Sequence, residues 1–185
     1  MKIESTEHGL DLLKSDLVRS PGVHMSDLYG SLFKELEPQR YGGDAPPDPM
    51  LLAMGTAWEA HLEKLLLQQP GISRPDAFID ANGVGFSPDL FIFNGVFRVG
   101  EIKLTWMSSR EDISSPKFGK WLVQLMAYCY RCETEYGRIY ATFVNGDYGA
   151  HRWPQLKVWD LTFGMNELKD NYDMLIAHGK RRGLL

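Results

Sequence analysis

The stretch GFSPDLFIFNGVFRVGEIK, residues 85–103, constrains the fold more than any other part of this chain. It has the pattern of two apolar β-strands joined at Asn94-Gly95, a dipeptide that favours tight hairpin turns because both residues tolerate positive φ. The strands nevertheless contain Asp89, Glu101 and Lys103. Unpaired charges in a sheet interior are costly, so these three side chains need an explanation.

The register of the hairpin decides whether the three charges meet. Side chains two residues apart on a strand share a face, so Glu101 and Lys103 point the same way. We predict a three-residue loop 93–95 with Gly95 left-handed, or an equivalent bulge at Gly100. In that register Asp89 pairs with Val99 and stands diagonal to Glu101 on one face.

Three interpretations of the converging charges follow from the residues alone. They form a buried salt-bridge cluster, or they lie on a solvent-facing strand edge, or Asp89 and Glu101 hold a divalent metal with Lys103 beside it. Carboxylate oxygens are hard ligands that suit Mg²⁺ or Mn²⁺. The spacing alone does not choose between them.

The rest of the chain alternates helical and strand patterns. Helices are predicted at 24–37, with Ser26 as a possible cap, and at 50–69, 117–136 and about 162–178. A loop rich in Gly and Pro covers 39–49. Strands are predicted at about 76–81, 84–93, 96–106, 138–145 and 151–160. This order predicts an α/β protein with a mixed β-sheet flanked by helices.

Length and composition place limits on the class of protein. A chain of 185 residues can form a single domain with a core that needs no disulfide or structural metal. Its two cysteines, Cys129 and Cys132, could form a redox pair or half of a metal site, but their helical spacing favours two small apolar residues on one stripe. Two cysteines are too few for a four-cysteine iron–sulfur cluster.

Charge and hydropathy bear on location and partners. The net charge of −4 argues against a general nucleic-acid coat, although it is compatible with a nuclease whose metal site is itself acidic. No apolar run approaches the roughly 20 residues that span a bilayer. The start, MKIESTEHGL, lacks the apolar core of a secretory signal. We therefore predict a cytoplasmic protein without a membrane partner.

Four motifs, in order over about residues 50–145, resemble those of a known family. Pro88-Asp89 followed by Glu101-Ile102-Lys103 resembles the signature of the PD-(D/E)xK nuclease superfamily. GTAWEAHLE, residues 55–63, is similar to the first-helix motif of its RecB-like branch, with Glu59 in the position of the usual His. Lambda-exonuclease (YqaJ)-like members have Glu at this position. QLMAY, residues 124–128, resembles the Gln-x-x-x-Tyr motif of the same branch.

The resemblance implies a restriction-endonuclease-like fold in a single domain. Its expected division is a helical N-terminal extension at 1–48, a nuclease core at 49–160 and a C-terminal helix at 161–185. The implied activity is that of a Mg²⁺- or Mn²⁺-dependent deoxyribonuclease with one or two ions. No iron–sulfur cluster is expected.

The resemblance also assigns roles to individual residues. The metal ligands would be Glu59, Asp89, Glu101 and the backbone carbonyl of Ile102. Lys103 would orient or deprotonate the attacking water and stabilise the pentacovalent phosphate. Gln124 and Tyr128 would position water or phosphate, and Lys117, Lys120 and Arg110 would contact the DNA backbone. Apart from the resemblance, helical spacing predicts that Glu63 is an ordinary surface charge and that His61 points to a different face and is structural.

Several functional alternatives remain open at this stage. The favoured hypothesis is an exonuclease in DNA recombination, repair or phage DNA processing, with a strand-annealing or recombination protein as a possible partner. A structure-specific endonuclease is the alternative within enzymes. A nuclease-fold module that binds DNA without cutting it is the alternative outside them.

Overall fold

A computed structural model of the chain describes residues 21–43, 49–149 and 153–185. The helices in these residues are α1 (Met25–Leu36), α2 (Pro38–Tyr41), α3 (Pro49–Leu66), α4 (Gly119–Arg131) and α5 (Met165–Arg181). The strands are β1 (Val23–His24), β2 (Ile72–Ser73), β3 (Phe78–Ile79), β4 (Val84–Phe86), β5 (Leu90–Phe93), β6 (Phe97–Thr105), β7 (Tyr136–Phe143) and β8 (Gln155–Thr162).

The strands form two sheets. The larger has the order β2-β5-β6-β7-β8, in which β6 and β7 are parallel and the other neighbours antiparallel. The smaller has the order β1-β4-β3, with β1 parallel to β4. The predicted α/β class with a mixed sheet flanked by helices is confirmed, although two sheets replace the single sheet.

Helices cover both faces of the larger sheet. On one face, α1, α4 and α5 bury a core that includes Val99, Leu125 and Leu175. On the other, α3 packs Leu62 over a smaller apolar cluster that contains Ile102 and Tyr140. Because neighbouring side chains of β6 alternate between these faces, Glu101 and Lys103 lie on the α4 side and Ile102 lies on the α3 side.

The strand predicted over residues 84–93 is in fact two strands in different sheets. Ser87-Pro88-Asp89 separates β4, in the smaller sheet, from β5, in the larger. Pro88 has no amide hydrogen to donate to a ladder, so a continuous central strand is unfavourable there. The break leaves Asp89 immediately before β5, beside the middle of β6.

The predicted hairpin register was wrong by two positions. Phe93 pairs with Phe97, so the three-residue turn is 94–96 rather than 93–95, while Gly95 has the expected positive φ of 89°. If this register is continued by one residue beyond the Leu90–Gly100 pair, Asp89 lies opposite Glu101 rather than opposite Val99. The conclusion that both carboxylates share a face therefore holds by a different pairing.

Other differences concern short elements and boundaries. The sequence did not indicate β1 or β2, whose two-residue lengths give no periodicity. Ser26 lies inside α1, and Asp27 accepts the amide of His24 at 2.9 Å at the helix start. Strand β8 extends to Thr162, so the last helix begins at Met165. Predictions for residues 1–20, 44–48 and 150–152 lie outside the described residues.

The part of the chain before residue 49 contributes to the core where it is described. Met25 and Leu28 of α1 are fully buried, and α1 packs on α4 and α5. Val23 of β1 pairs with Val84 of β4. The division at residues 48 and 160 remains a prediction.

The two cysteines are free thiols on α4 and at its end. Cys129 is fully buried, and burial raises its pKa well above the usual range. Burial also raises the pKa of Cys132 to about 11. Both are therefore poor nucleophiles at neutral pH. Across the described parts of the chain, no helix combines the length and apolar character needed to cross a membrane.

A buried polar cluster attaches the β3–β4 turn to α5. Asp80 accepts hydrogen bonds from the Tyr172 hydroxyl, the Asn82 amide at 2.8 Å and the Val84 amide at 2.9 Å. Burial alone would raise the pKa of Asp80, but these hydrogen bonds together lower it. The resulting stabilisation is complete above the unfolded pKa and is lost as the pH falls.

Replacing Tyr172 by Phe is expected to destabilise the fold by about 1–3 kcal/mol at neutral pH, since a buried carboxylate loses a donor. The difference in unfolding free energy from wild type should shrink as Asp80 becomes protonated. Urea unfolding at several pH values measures it. Tyr130, whose ring lies 5.0 Å from that of Tyr172, provides the matched Tyr→Phe control. An equal loss in both variants would contradict this role of Asp80.

Candidate active site

Three carboxylates and a lysine from separate elements line one cavity of about 530 Å³. Glu59 comes from α3, Asp89 from the segment before β5, and Glu101 and Lys103 from the middle of β6. Gln124 of α4 completes the wall. The structure therefore brings together the residues that the four sequence motifs singled out.

Glu101, Lys103 and Gln124 form a closed hydrogen-bond network. The Lys103 ammonium donates to Glu101 Oε2 at 2.6 Å and to Gln124 Oε1 at 3.0 Å. Gln124 Nε2 donates to the same Glu101 Oε2 at 2.9 Å. The other carboxylate oxygen, Glu101 Oε1, is buried and has no hydrogen-bond partner among the described residues.

Asp89 is fixed to the backbone of β6. Its Oδ2 accepts the amide hydrogen of Ile102 at 2.6 Å. This bond replaces the ladder pairing that Pro88 interrupts, and it holds the carboxylate beside the Glu101–Ile102 peptide. The role of the Ile102 carbonyl as a ligand remains a prediction.

Burial and mutual repulsion disturb the ionisation of the carboxylates. Burial, followed by repulsion from Asp89, raises the pKa of Glu101 to about 8. Partial desolvation on the cavity wall, followed by repulsion from Asp89, raises the pKa of Glu59 to about 7, although the Glu59 side chain keeps an exposed surface. Burial also raises the pKa of Asp89, although Lys103 and the Ile102 amide oppose this. Burial alone would lower the pKa of Lys103, but Glu101 and Asp89 outweigh it and raise it, so the ammonium stays charged.

The donor set fits a hard divalent cation. It consists of carboxylate oxygens, which Mg²⁺ and Mn²⁺ prefer, and Glu101 Oε1 is a buried acceptor without a donor. Across residues 21–43, 49–149 and 153–185, no three Asp, Glu, His or Cys side chains are grouped closely enough to form a ready-made metal site. Bringing Glu59, Asp89 and Glu101 onto one ion therefore requires side-chain rearrangement, including at the Lys103–Glu101 contact.

Tyr128 lies behind Gln124 on α4. Its hydroxyl accepts a hydrogen bond from Gln124 Nε2 at 3.4 Å, and its ring packs at 5.8 Å from that of Phe86. Burial raises the pKa of this phenol beyond its usual range. Tyr128 is therefore neutral and is placed to orient the Gln124 amide.

Glu63 differs from its sequence-based interpretation, whereas His61 lies away from the carboxylates as predicted. Glu63 is not a solvated surface charge, because its side chain is only 14% exposed and its Oε1 lies 3.1 Å from Arg74 Nε. Its charge also contributes to raising the pKa of Glu59 and of Asp89. His61 is exposed on another side of the helix, with its ring 5.8 Å from that of Trp58.

The predicted DNA contacts have different surroundings. Lys120 lies over the rings of Tyr29 and Tyr41, at 5.6 and 5.2 Å, and lines a cavity that adjoins the carboxylates. Lys117 lines the same cavity and is bonded to Glu111. Arg110 is paired with Asp147 at 3.2 Å and is not part of that lining.

Sequence reasoning missed the residues that β1, α1 and α2 contribute. His24, Ser26 and Tyr29 line the carboxylate cavity, and Arg40 and Tyr41 line the neighbouring one. These residues belong to no recognisable motif. Only the packing of α1 against α4 brings them to the site.

Comparison with known proteins gives a structural likeness without a sequence match. No protein-family model matches the chain, and no curated protein matches it by sequence. The solved structure of SSO0001 aligns with a TM-score of 0.53 at 16% identity, over 90% of this chain and 79% of that one. LHK-Exo in complex with dAMP aligns with a TM-score of 0.50 at 15% identity, over 87% and 89%.

LHK-Exo is an alkaline exonuclease from Laribacter hongkongensis. The chain therefore has a fold like that of LHK-Exo. A second LHK-Exo structure aligns over 88% of this chain and 93% of that one, at 17% identity and a TM-score of 0.46. At such identities the likeness establishes the fold and leaves the chemistry to the residues of the site.

Proposed function

We propose that this nuclease-fold chain is a Mg²⁺- or Mn²⁺-dependent deoxyribonuclease that degrades DNA from its ends. The observation that carries the proposal is the charged Lys103 held between Glu101 and Gln124, with Asp89 and Glu59 in the same cavity. A structural salt bridge would not need two further carboxylates beside it. The exonuclease preference is supported by the fold shared with an alkaline exonuclease.

The carboxylates supply the metal ligands in this proposal. Glu59, Asp89 and Glu101, with the Ile102 carbonyl, would hold one or two ions. A bound Mg²⁺ or Mn²⁺ would lower the pKa of water and neutralise charge on the scissile phosphate. In the absence of a cation, the pKa values of Glu59 and Glu101 are raised because desolvation and repulsion between the carboxylates disfavour their ionised forms.

Lys103 has a donor available for the reaction. An ammonium carries three hydrogens, and Glu101 Oε2 and Gln124 Oε1 take two of them. The third can contact a phosphate oxygen or orient the attacking water. Gln124 fixes the ammonium position, and Tyr128 fixes the Gln124 amide.

The deciding assay uses linear and closed circular DNA, single- and double-stranded, with Mg²⁺, Mn²⁺ or EDTA. We expect degradation of linear DNA with either metal, no cleavage in EDTA and resistance of closed circles. Cutting of circles would favour the endonuclease alternative. Binding of DNA without cutting under any of these conditions would favour the non-cutting module.

Glu59 offers a separate test of the ligand set. Glu59→His keeps a metal ligand in the position where the RecB-like motif has His, so it should retain part of the Mn²⁺-supported activity, whereas Glu59→Ala should lose most of it. Initial rates with a linear substrate measure both. His61→Ala is the control, because His61 lies on the same helix but is exposed on another side. Full activity of Glu59→Ala would exclude Glu59 as a ligand.

A role in recombination, repair or phage DNA processing would give such an enzyme a strand-annealing or recombination protein as partner. Pull-down with a single-strand annealing protein from the same source would test this.

A further inference from the structure

Three adjoining cavities form a groove across the site. The carboxylate cavity shares Tyr29, Lys103 and Gln124 with a cavity of about 410 Å³, here called the cationic cavity. It shares Glu59, Ser87 and Asp89 with another of about 530 Å³, here called the arginine cavity. The cationic and arginine cavities have no lining residue in common, so they adjoin the carboxylates on different sides.

The cationic cavity carries fixed positive charge beside aromatic rings. The Lys120 ammonium lies over Tyr29 and Tyr41, and the Arg40 guanidinium lies 5.1 Å from the centre of the Tyr41 ring. Arg40 Nη2 also donates to the Lys117 carbonyl at 3.2 Å. Such combinations of cations and aromatic faces are typical of surfaces that follow a single nucleic-acid strand.

The arginine cavity carries one cation of its own, Arg74. Its side chain is 72% exposed, and its Nε lies 3.1 Å from Glu63 Oε1. Glu63 is mostly buried, and its Oε1 has no hydrogen-bond partner among the described residues, so the contact with Arg74 is a pairing of charges that holds the guanidinium near the wall of the cavity. The exposed fraction of Arg74 leaves its terminal donors available to a ligand in the space that Glu59 and Asp89 also line.

The geometry points to a substrate strand that crosses the carboxylates between two phosphate contacts, Lys120 on one side and Arg74, positioned by Glu63, on the other. This inference rests on the proposed function and adds to it the path of the strand. The ligand class is a single DNA strand or a strand end separated from its duplex, because Glu101 is fully buried and the scissile phosphate must enter the cavity to reach it. Arg74 is a phosphate-binding residue in this scheme, and Glu63 is its positioning residue.

The test is a scan with single-stranded oligonucleotides in which one phosphate at a time is replaced by an uncharged methylphosphonate. Binding is measured by fluorescence anisotropy in EDTA, so that no cleavage occurs. In the wild-type protein, neutral linkages should weaken binding at two separate positions. Arg74→Ala should abolish the sensitivity at one of them, and Lys120→Ala at the other.

The salt dependence of oligonucleotide binding gives a second measurement, which would not change if Arg74 or Lys120 had a purely structural role. Loss of one phosphate contact on a single strand should reduce the slope of log K against log salt by about 0.7. Arg181→Ala is the matched control, because Arg181 is 62% exposed, is paired with Glu35 at 2.7 Å and is not part of the groove lining. It should keep both the wild-type slope and the wild-type phosphate profile.

Glu63→Gln tests the positioning role. In Glu63→Gln, a neutral linkage at the position assigned to Arg74 should weaken binding less than in wild type, and the effect at the position assigned to Lys120 should be unchanged. The double variant Glu63→Gln/Arg74→Ala should show no more loss at the Arg74 position than Arg74→Ala alone. An Arg74→Ala profile identical to wild type would overturn the inference. The inference would also be overturned if Arg74→Ala and Lys120→Ala abolished the sensitivity of binding at the same oligonucleotide position. If the wild-type protein neither binds nor cuts DNA, the proposed function itself fails and the inference fails with it.

Discussion

Lys103→Met is expected to reduce the turnover of DNA cleavage by at least about a hundredfold, because it removes the charge that we propose acts on the developing phosphate charge. DNA and Mn²⁺ binding should persist, since the carboxylates remain and one lost cation weakens a multi-phosphate contact only modestly. The methionine keeps the aliphatic stem, so little packing is lost. Single-turnover rates and oligonucleotide binding, measured on the same preparation, separate chemistry from affinity.

The structure supplies a close control for this substitution. Lys157 of β8 lies in the same cross-strand row, because Lys103 pairs with Ala141 and Ala141 pairs with Lys157. Its ammonium lies over the rings of Phe143 and Trp159, not beside the carboxylates. Lys157→Met should cut DNA normally. Near wild-type cleavage by Lys103→Met would refute the nuclease proposal at its centre, whereas unfolding of that variant would indicate that Lys103 serves mainly in the buried pair with Glu101.

Asp89→Asn and Glu101→Gln are expected to abolish cleavage and to remove most of the Mn²⁺ affinity. Each replaces a charged oxygen ligand by a neutral amide of nearly the same shape. The fold should survive in Asp89→Asn, because the amide oxygen can still accept the Ile102 hydrogen. Calorimetric titration with Mn²⁺ measures the affinity, and the rise in melting temperature on adding Mn²⁺ that we expect for the wild-type protein should disappear in both variants.

Asp76→Asn is the control for this pair. Asp76 is exposed on the wall of the arginine cavity, so the substitution removes one negative charge near the site without touching a proposed ligand. It should retain Mn²⁺ binding. Unchanged affinity in both Asp89→Asn and Glu101→Gln would mean that the carboxylate cavity is not the metal site.

Much of the candidate site follows from spacing within single elements. Alternation on a strand places Glu101 and Lys103 on one face, and a separation of four residues on a helix places Gln124 beside Tyr128. The structure has both arrangements, and Gln124 and Lys103 are in direct contact. Such relations are local, because the geometry of one element fixes them whatever the element packs against.

Local sequence patterns therefore indicate the α/β class, the main helices and strands and the motif residues that face a common point. Packing between elements sets the remaining features. It set the turn at residues 94–96, split the strand at Pro88 and buried Glu63 against Arg74. It also brought Lys120 over the tyrosine rings of α1 and α2. The physical reason is that these contacts join residues far apart in the chain, and their geometry depends on how whole elements pack, which no local periodicity encodes.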